Sequence, residues 1–178
     1  MEKILLFSFC FCSFLSINSQ NLPSVENGLF SVNILTPGLE YEIGLTNSTT
    51  LDFRAGTSGF VYNLGVFGKG FGIYPTFNVQ YRYYYNMKKR YIKGKIIANN
   101  SANYIALSGG IQSGNPIIGN LELQDNYFGV IGPVWGLQRY YGTGFKLDLN
   151  LGGGYGFKES GSYFSPIIGL RLGWRIFN

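Results

Sequence analysis

Nine charged residues recur in rows where every second position is polar or small: Glu40 and Glu42, Asp52 and Arg54, Arg82, Lys146 and Asp148, Arg171 and Arg175. Carboxylates two apart, such as Glu40 and Glu42 with Asp52 nearby, are the minimum kit for acid–base cleavage of a glycosidic bond. The same residues can instead pair, cation against carboxylate, and fill a closed interior. Other residue types narrow the choice. The chain has no histidine, and its two cysteines, Cys10 and Cys12, lie near the N-terminus. Catalytic couples through imidazole, and metal sites of His and Cys, are therefore excluded. No acidic run has calcium-loop spacing. The glycine runs "GVFGKGFG" and "GGGYG" are not followed by a helical pattern, so a phosphate loop is not expected. Glycine there relieves crowding in a curved sheet.

A second group of charges is all of one sign: Lys88, Lys89, Arg90, Lys93 and Lys95. Their number equals the whole net charge of +5, so the basic pI describes one loop and not a basic surface. A solvated turn is the plain expectation. The sharper one is contact with an anionic envelope polymer or lipid headgroup. Nucleic acid is not expected as a partner.

The elements that must position these residues are strands. Residues 1–19 open with Lys3 and continue into an apolar run too short to span a bilayer as a helix, which reads as a secretory signal. Removing it takes both cysteines, Lys3 and Glu2, so the mature domain, 20–178, has no thiol chemistry and keeps its charge. Within it, period-two alternation predicts eight strands: 29–36, 39–45, 50–61, 71–86, 103–111, 127–139, 144–157 and 163–176. The clearest is "GFKLDLNLGGGYGF", with Phe145, Leu147, Leu149, Leu151 and Tyr155 on one face and Lys146, Asp148 and Asn150 on the other. Strand 103–111 alternates poorly. A further strand within 91–98 or 117–124 would change the count.

Two architectures share this alternation. A soluble barrel turns its apolar face inward; a membrane barrel turns it outward and fills its lumen with polar groups. Only 13% of residues are charged and 17% are aromatic, and the polar rows carry glycines rather than a dense coat of lysine and glutamate. Fourteen strand residues tilted near 40° rise about 35 Å, enough for an apolar band of about 25 Å. Aromatics gather toward strand ends, as at an interface: Tyr81, Tyr83 and Tyr85; Tyr155 and Phe157; Trp174. The expectation is an all-β, eight-stranded antiparallel up-and-down transmembrane barrel.

The pattern resembles the small outer-membrane β-barrel proteins, the class that includes the OmpA and OmpX transmembrane domains. The run "YRYYYNMKKRYIKGK…NNSANY" is similar to outer-membrane barrel proteins of Bacteroidota-type bacteria. The amphipathic end "GLRLGWRIFN" resembles the signal read by barrel-assembly machinery, with Asn178 displacing the usual terminal aromatic by one. The resemblance implies outer-membrane location, lipid contact, insertion by that machinery and a monomer. The deacylases, palmitoyltransferases, phospholipases and omptin proteases that share this fold use histidine, so their mechanisms do not carry over. No cofactor or metal is expected. The expected role is structural or surface recognition through loops 63–70, 113–126 and 157–162. A narrow channel, a histidine-independent envelope enzyme and a soluble lipocalin-like binder remain open as alternatives. The nine charges are expected to plug the lumen, with Glu40 or Glu42 meeting Arg171 or Arg175 across the seam between the first and last strands. Even strand parity puts both termini and the segment 87–102 on the periplasmic side, where connections are usually short.

Overall fold

The computed structural model describes residues 23–58, 61–63 and 70–177. The expected signal, 1–19, and most of the loop 63–70 lie outside the described residues. Alternation becomes strand along the remainder. The elements are β1 (Gly28–Asn33), β2 (Gly38–Gly44), β3 (Thr49–Thr57), β4 (Val61–Asn63), β5 (Gly70–Ile73), β6 (Pro75–Tyr83), α1 (Met87–Ile92), β7 (Asn103–Ser113), β8 (Ile118–Gly119), β9 (Tyr127–Tyr141), β10 (Phe145–Lys158) and β11 (Gly161–Phe177).

Eight of these strands form one antiparallel sheet that closes into a ring, in the order β1-β11-β10-β9-β7-β6-β3-β2. Each ring strand matches one expected from the sequence, and all are joined to their chain neighbours. Two expected strands are broken. The third stops at Thr57, and 61–63 becomes β4; the fourth divides into β5 and β6 before Pro75, whose missing N–H suits a first strand position. The short β8 falls inside 117–124 but pairs with β5, in a three-stranded sheet β4-β5-β8 outside the ring, so the ring count is unchanged.

The register sets the shape. From Asn33 the cross-strand partners run through Gly38, Gly56, Thr76, Gln112, Phe128 and Lys158 to Gly161. Asn33 itself pairs with Gly173 of β11, so the circuit returns to β11 well along the strand from where it arrived, at Gly173 rather than Gly161. Such a shear over eight strands tilts them to roughly 45°. One rim therefore climbs around the ring. Strand β11 is the longest element and β1 one of the short ones. At this tilt the first rises about 40 Å and the second only about 14 Å.

The faces separate cleanly. Outward lie Leu39, Tyr41, Phe77, Tyr81, Ile105, Leu107, Ile131, Trp135, Leu151, Tyr155, Phe164, Ile168, Leu170, Trp174 and Ile176, all exposed. Inward lie the charges, with Ser31, Thr50, Gln80, Gln138 and Asn150. Strand β7 does alternate, Tyr104, Ala106 and Ser108 inward against Ile105 and Leu107 outward. Its pattern is weak because its inward residues include an alanine and a tyrosine. Aromatic contacts gather at the rim that holds the termini: Phe30 stacks on Phe177, and Phe145 meets Trp174 edge-on.

The long connection 84–102 ends as a cap on that rim. After α1 the chain makes a 3-10 turn at Ala98–Asn100. Asn99 and Asn100 have φ of 56° and 58°, a left-handed conformation that asparagine tolerates. Asn100 Oδ1 accepts the Glu26 N–H (2.8 Å), Ser101 Oγ accepts the Tyr140 N–H (3.0 Å), and Gln138 donates to the Asn99 carbonyl (3.4 Å). Beneath the cap, Val25, Tyr84, Met87, Ala102, Tyr104, Ala106 and Val134 form a small apolar cluster. The connection is long because it closes one end of the ring.

Candidate functional site

Adjacent strands deliver the lumen charges at similar heights because their partners are in register: Glu40 opposite Arg54, Glu42 opposite Asp52, Asp148 opposite Arg171. Arg82 of β6 is the hub and is fully buried. Its guanidinium lies 3.0 Å from Asp148, 3.5 Å from Glu42 and Asp52, and 3.9 Å from Glu40. It also donates to Gln80 Oε1 (3.0 Å) and Gln138 Oε1 (2.9 Å), and sits 4.5 Å from the centroid of the Tyr104 ring. A planar five-donor cation suits this position, since a lysine could not fork to so many acceptors.

The other members complete the network. Arg54 pairs with Asp52 (2.8 Å) and Glu40 (3.4 Å). Lys146 pairs with Glu40. Arg171 reaches Asp148 at 3.2 Å. Neutral groups satisfy further lone pairs: Tyr84 and Thr50 each donate to Glu42 at 2.7 Å, Asn33 donates to Glu40 at 3.2 Å, and Tyr104 donates to Asp148 at 3.1 Å. Four carboxylates, Glu40, Glu42, Asp52 and Asp148, thus meet four cations, Arg54, Arg82, Lys146 and Arg171. The formal charge of the cluster is zero.

All nine expected charges point to the lumen side, and the structure joins eight of them in this network. The expected seam pairing is different. The ion pairs of Glu40 and Glu42 run to Arg54, Arg82 and Lys146, while Arg171 binds Asp148 on its neighbour β10. The shear explains the change: β1 is so short that Arg171 lies beyond its paired end at Gly173. Arg175 donates to Asn99 Oδ1 of the cap.

Tyr84, Tyr104 and Gln138 join the network without having been expected there. Parity could have found Tyr84, since it shares the face of Gln80 and Arg82 between the outward Tyr83 and Tyr85. Above the cluster, away from the termini, the wall is lined by Thr76, Asn78, Gly110 and Gly169, leaving two cavities of about 200 Å³ each, one of which ends on Arg54 and Arg171.

The basic residues form a separate place. Lys88, Lys89 and Arg90 lie on α1, and Lys93 and Lys95 just beyond it, outside the lumen at the capped rim. Lys89, Arg90, Lys93 and Lys95 line a surface cavity of about 410 Å³ together with Arg139, a residue of β9 that the charge run does not contain; Lys88 does not line it.

No protein-family model, curated protein or solved structure matches this chain.

Proposed function

We propose that this chain is an outer-membrane β-barrel whose lumen is closed by a neutral ion-pair plug, and that its role is structural or surface recognition rather than catalysis. The observation that carries the proposal is the inverted sidedness: charges within, a continuous apolar wall without. A barrel in water gains stability by burying such a wall, at about 25 cal/mol per Å² of apolar surface. Here that gain is available only if something apolar surrounds it. The wall also has a fitting height. Phe145 and Tyr155 on β10, and Trp174 and Phe164 on β11, bracket stretches of equal length along the two strands. Each stretch rises about 23 Å at this tilt. That is close to the apolar band of a bacterial outer membrane, about 25 Å.

Passage of solute and catalysis are poorly served by this geometry. Arg82 fills the middle of the lumen, and the 97–102 segment covers one end. Glu40, Glu42 and Asp52 are buried against cations, not held toward a cleft.

Fractionation of the producing cell, followed by gel electrophoresis with and without boiling, tests the proposal. We expect the chain in the outer-membrane fraction, with a faster-running unboiled form. Recovery in the soluble fraction would overturn it.

A further inference from the structure

The outer wall beside the basic pocket carries a second concavity. Tyr81, Tyr83, Ile105, Leu107, Pro133 and Trp135 line an apolar groove of about 530 Å³ across β6, β7 and β9. The basic cavity lies directly rimward of it, and the two share a wall of hydrogen-bonded side chains. Trp135 Nε1 donates to the Tyr85 hydroxyl at 2.8 Å, and Asn103 Nδ2 approaches the same oxygen at 3.4 Å. Arg139 Nη2 donates to Asn103 Oδ1 at 2.6 Å. Trp135 lines the groove, while Tyr85, Asn103 and Arg139 line the basic cavity.

The cavity is charged in one sense only. Lys89, Arg90, Lys93, Lys95 and Arg139 line it, no carboxylate does, and none of these cations has an ion pair among the described residues. Arg90 is held by its Nη2 on the Ile96 carbonyl at 2.8 Å, while its buried Nε has no hydrogen-bond partner. Beside the cations, Tyr91, Ile92 and Ile96 are 58%, 71% and 63% exposed. Cations mixed with exposed apolar side chains on a short segment suit a headgroup interface. A soluble polyanion would use the pocket and leave the groove empty. An anionic amphiphile uses both.

We infer that this wall binds an anionic phospholipid, with the phosphate among Lys89, Arg90, Lys93, Lys95 and Arg139 and one acyl chain in the groove against Trp135. The inference rests on the membrane proposal above and adds a ligand class to it. The Tyr85–Trp135 contact fixes the level at which headgroup gives way to chain.

The test uses Trp135 as its reporter. Trp174→Phe leaves it the sole tryptophan, since the sequence has two. The full chain, isolated folded from membranes, is reconstituted in phosphatidylcholine vesicles doped with brominated-chain phosphatidylglycerol or brominated-chain phosphatidylcholine. We expect the anionic lipid to quench Trp135 at a mole fraction lower by roughly tenfold, the scale of one to two effective surface cations. The quadruple variant Lys89→Gln, Arg90→Gln, Lys93→Gln, Lys95→Gln, checked as folded by its gel shift, is expected to erase the preference. Equal quenching by the two lipids, or a preference unmoved by neutralisation, overturns the inference. So does reversal of the preference by soluble glycerol phosphate, which would make this a free-phosphate site. Failure of the membrane proposal looks different: the protein would not float with the vesicles, and neither lipid would quench.

Discussion

Arg82 illustrates how one side chain can decide the state of a lumen. Its charge is shared among Glu42, Asp52 and Asp148, and each of those carboxylates is buried. Removing it leaves four carboxylates facing three cations in a space without bulk water. Breaking a buried pair from one side costs about 3–5 kcal/mol. Arg82→Met should therefore lower stability by about that amount, read from urea unfolding of the barrel in vesicles. A loss under about 1 kcal/mol, the scale of an exposed pair, would mean that water enters the lumen and screens the cluster. Arg82 was legible as an inward residue because it alternates with outward tyrosines. Its partners were not, because Glu42 and Asp148 lie far away along the chain and nothing local to Arg82 encodes them.

At the level of elements, β9 and β10 pass unusually close. A Cβ on Gly154 would lie 2.1 Å from the Ile131 carbonyl oxygen, and one on Gly132 would lie 2.4 Å from that of Gly153. The obstacles are backbone atoms, so no rotamer change relieves them. Gly154→Val should abolish the heat-modifiable form, whereas Gly94→Ala, whose Cβ would meet nothing within 4 Å, should keep it despite a φ of 63°. A folded Gly154→Val would show that the two strands can slide apart. At the tall rim, Asp125 ties the 114–126 loop to the β10–β11 turn. It accepts the Ser160 N–H at 2.7 Å and the Lys158 ammonium at 3.0 Å. Hydrogen bonding by the Ser160 side chain first and then by Lys158, with a smaller contribution from the Ser160 N–H, holds its carboxyl below the ordinary aspartate value. A lowered folded pKa stabilises above the unfolded value, and the contribution is lost as pH falls through the folded one. Protection of the Ser160 amide from hydrogen exchange should thus persist at neutral pH and fade only below the usual carboxylate range. In Asp125→Asn it should be weak throughout; equal protection in the variant would remove Asp125 from this role.

For the whole molecule, the shear makes a barrel of unequal height. Strand β1 is short, so the β1–β2 turn, residues 34–37, sits low on the wall. It stands only about 14 Å above the terminal rim, which under the membrane proposal is inside an apolar band of about 25 Å. Irregular backbone at that depth needs its hydrogen bonds met by protein. Two of its groups are met in this way: the Ile34 N–H donates to the Leu172 carbonyl at 2.8 Å, and the Pro37 carbonyl accepts the Thr57 N–H at 3.0 Å. Ile34 and Leu35 remain 62% and 51% exposed, apolar side chains at a turn. Ile34→Cys, in a chain lacking residues 1–19, should react with a bilayer-soluble maleimide and resist a water-soluble one after reconstitution. Ready labelling by the water-soluble reagent would put the turn above the lipid. The plug makes a second expectation at this scale: planar bilayers holding the protein should show no stepwise conductance. Clear unitary currents would mean that the ion pairs open.

Period-two alternation is a local property, and it was enough to suggest eight strands, to set the sidedness of all but 103–111 and 127–139, and to give the inward direction of Glu40, Glu42, Asp52, Arg54, Arg82, Lys146, Asp148 and Arg171. A side chain's face depends only on its neighbours along one strand. Which inward residues meet depends on the register around the ring, and the offset from Gly161 to Gly173 accumulates over every strand pair. That closure, a property of all eight strands together, sent Arg171 to Asp148 instead of Glu40. It also let 97–102 fold across the end, and set Trp135 beneath a cluster of cations that are distant in sequence.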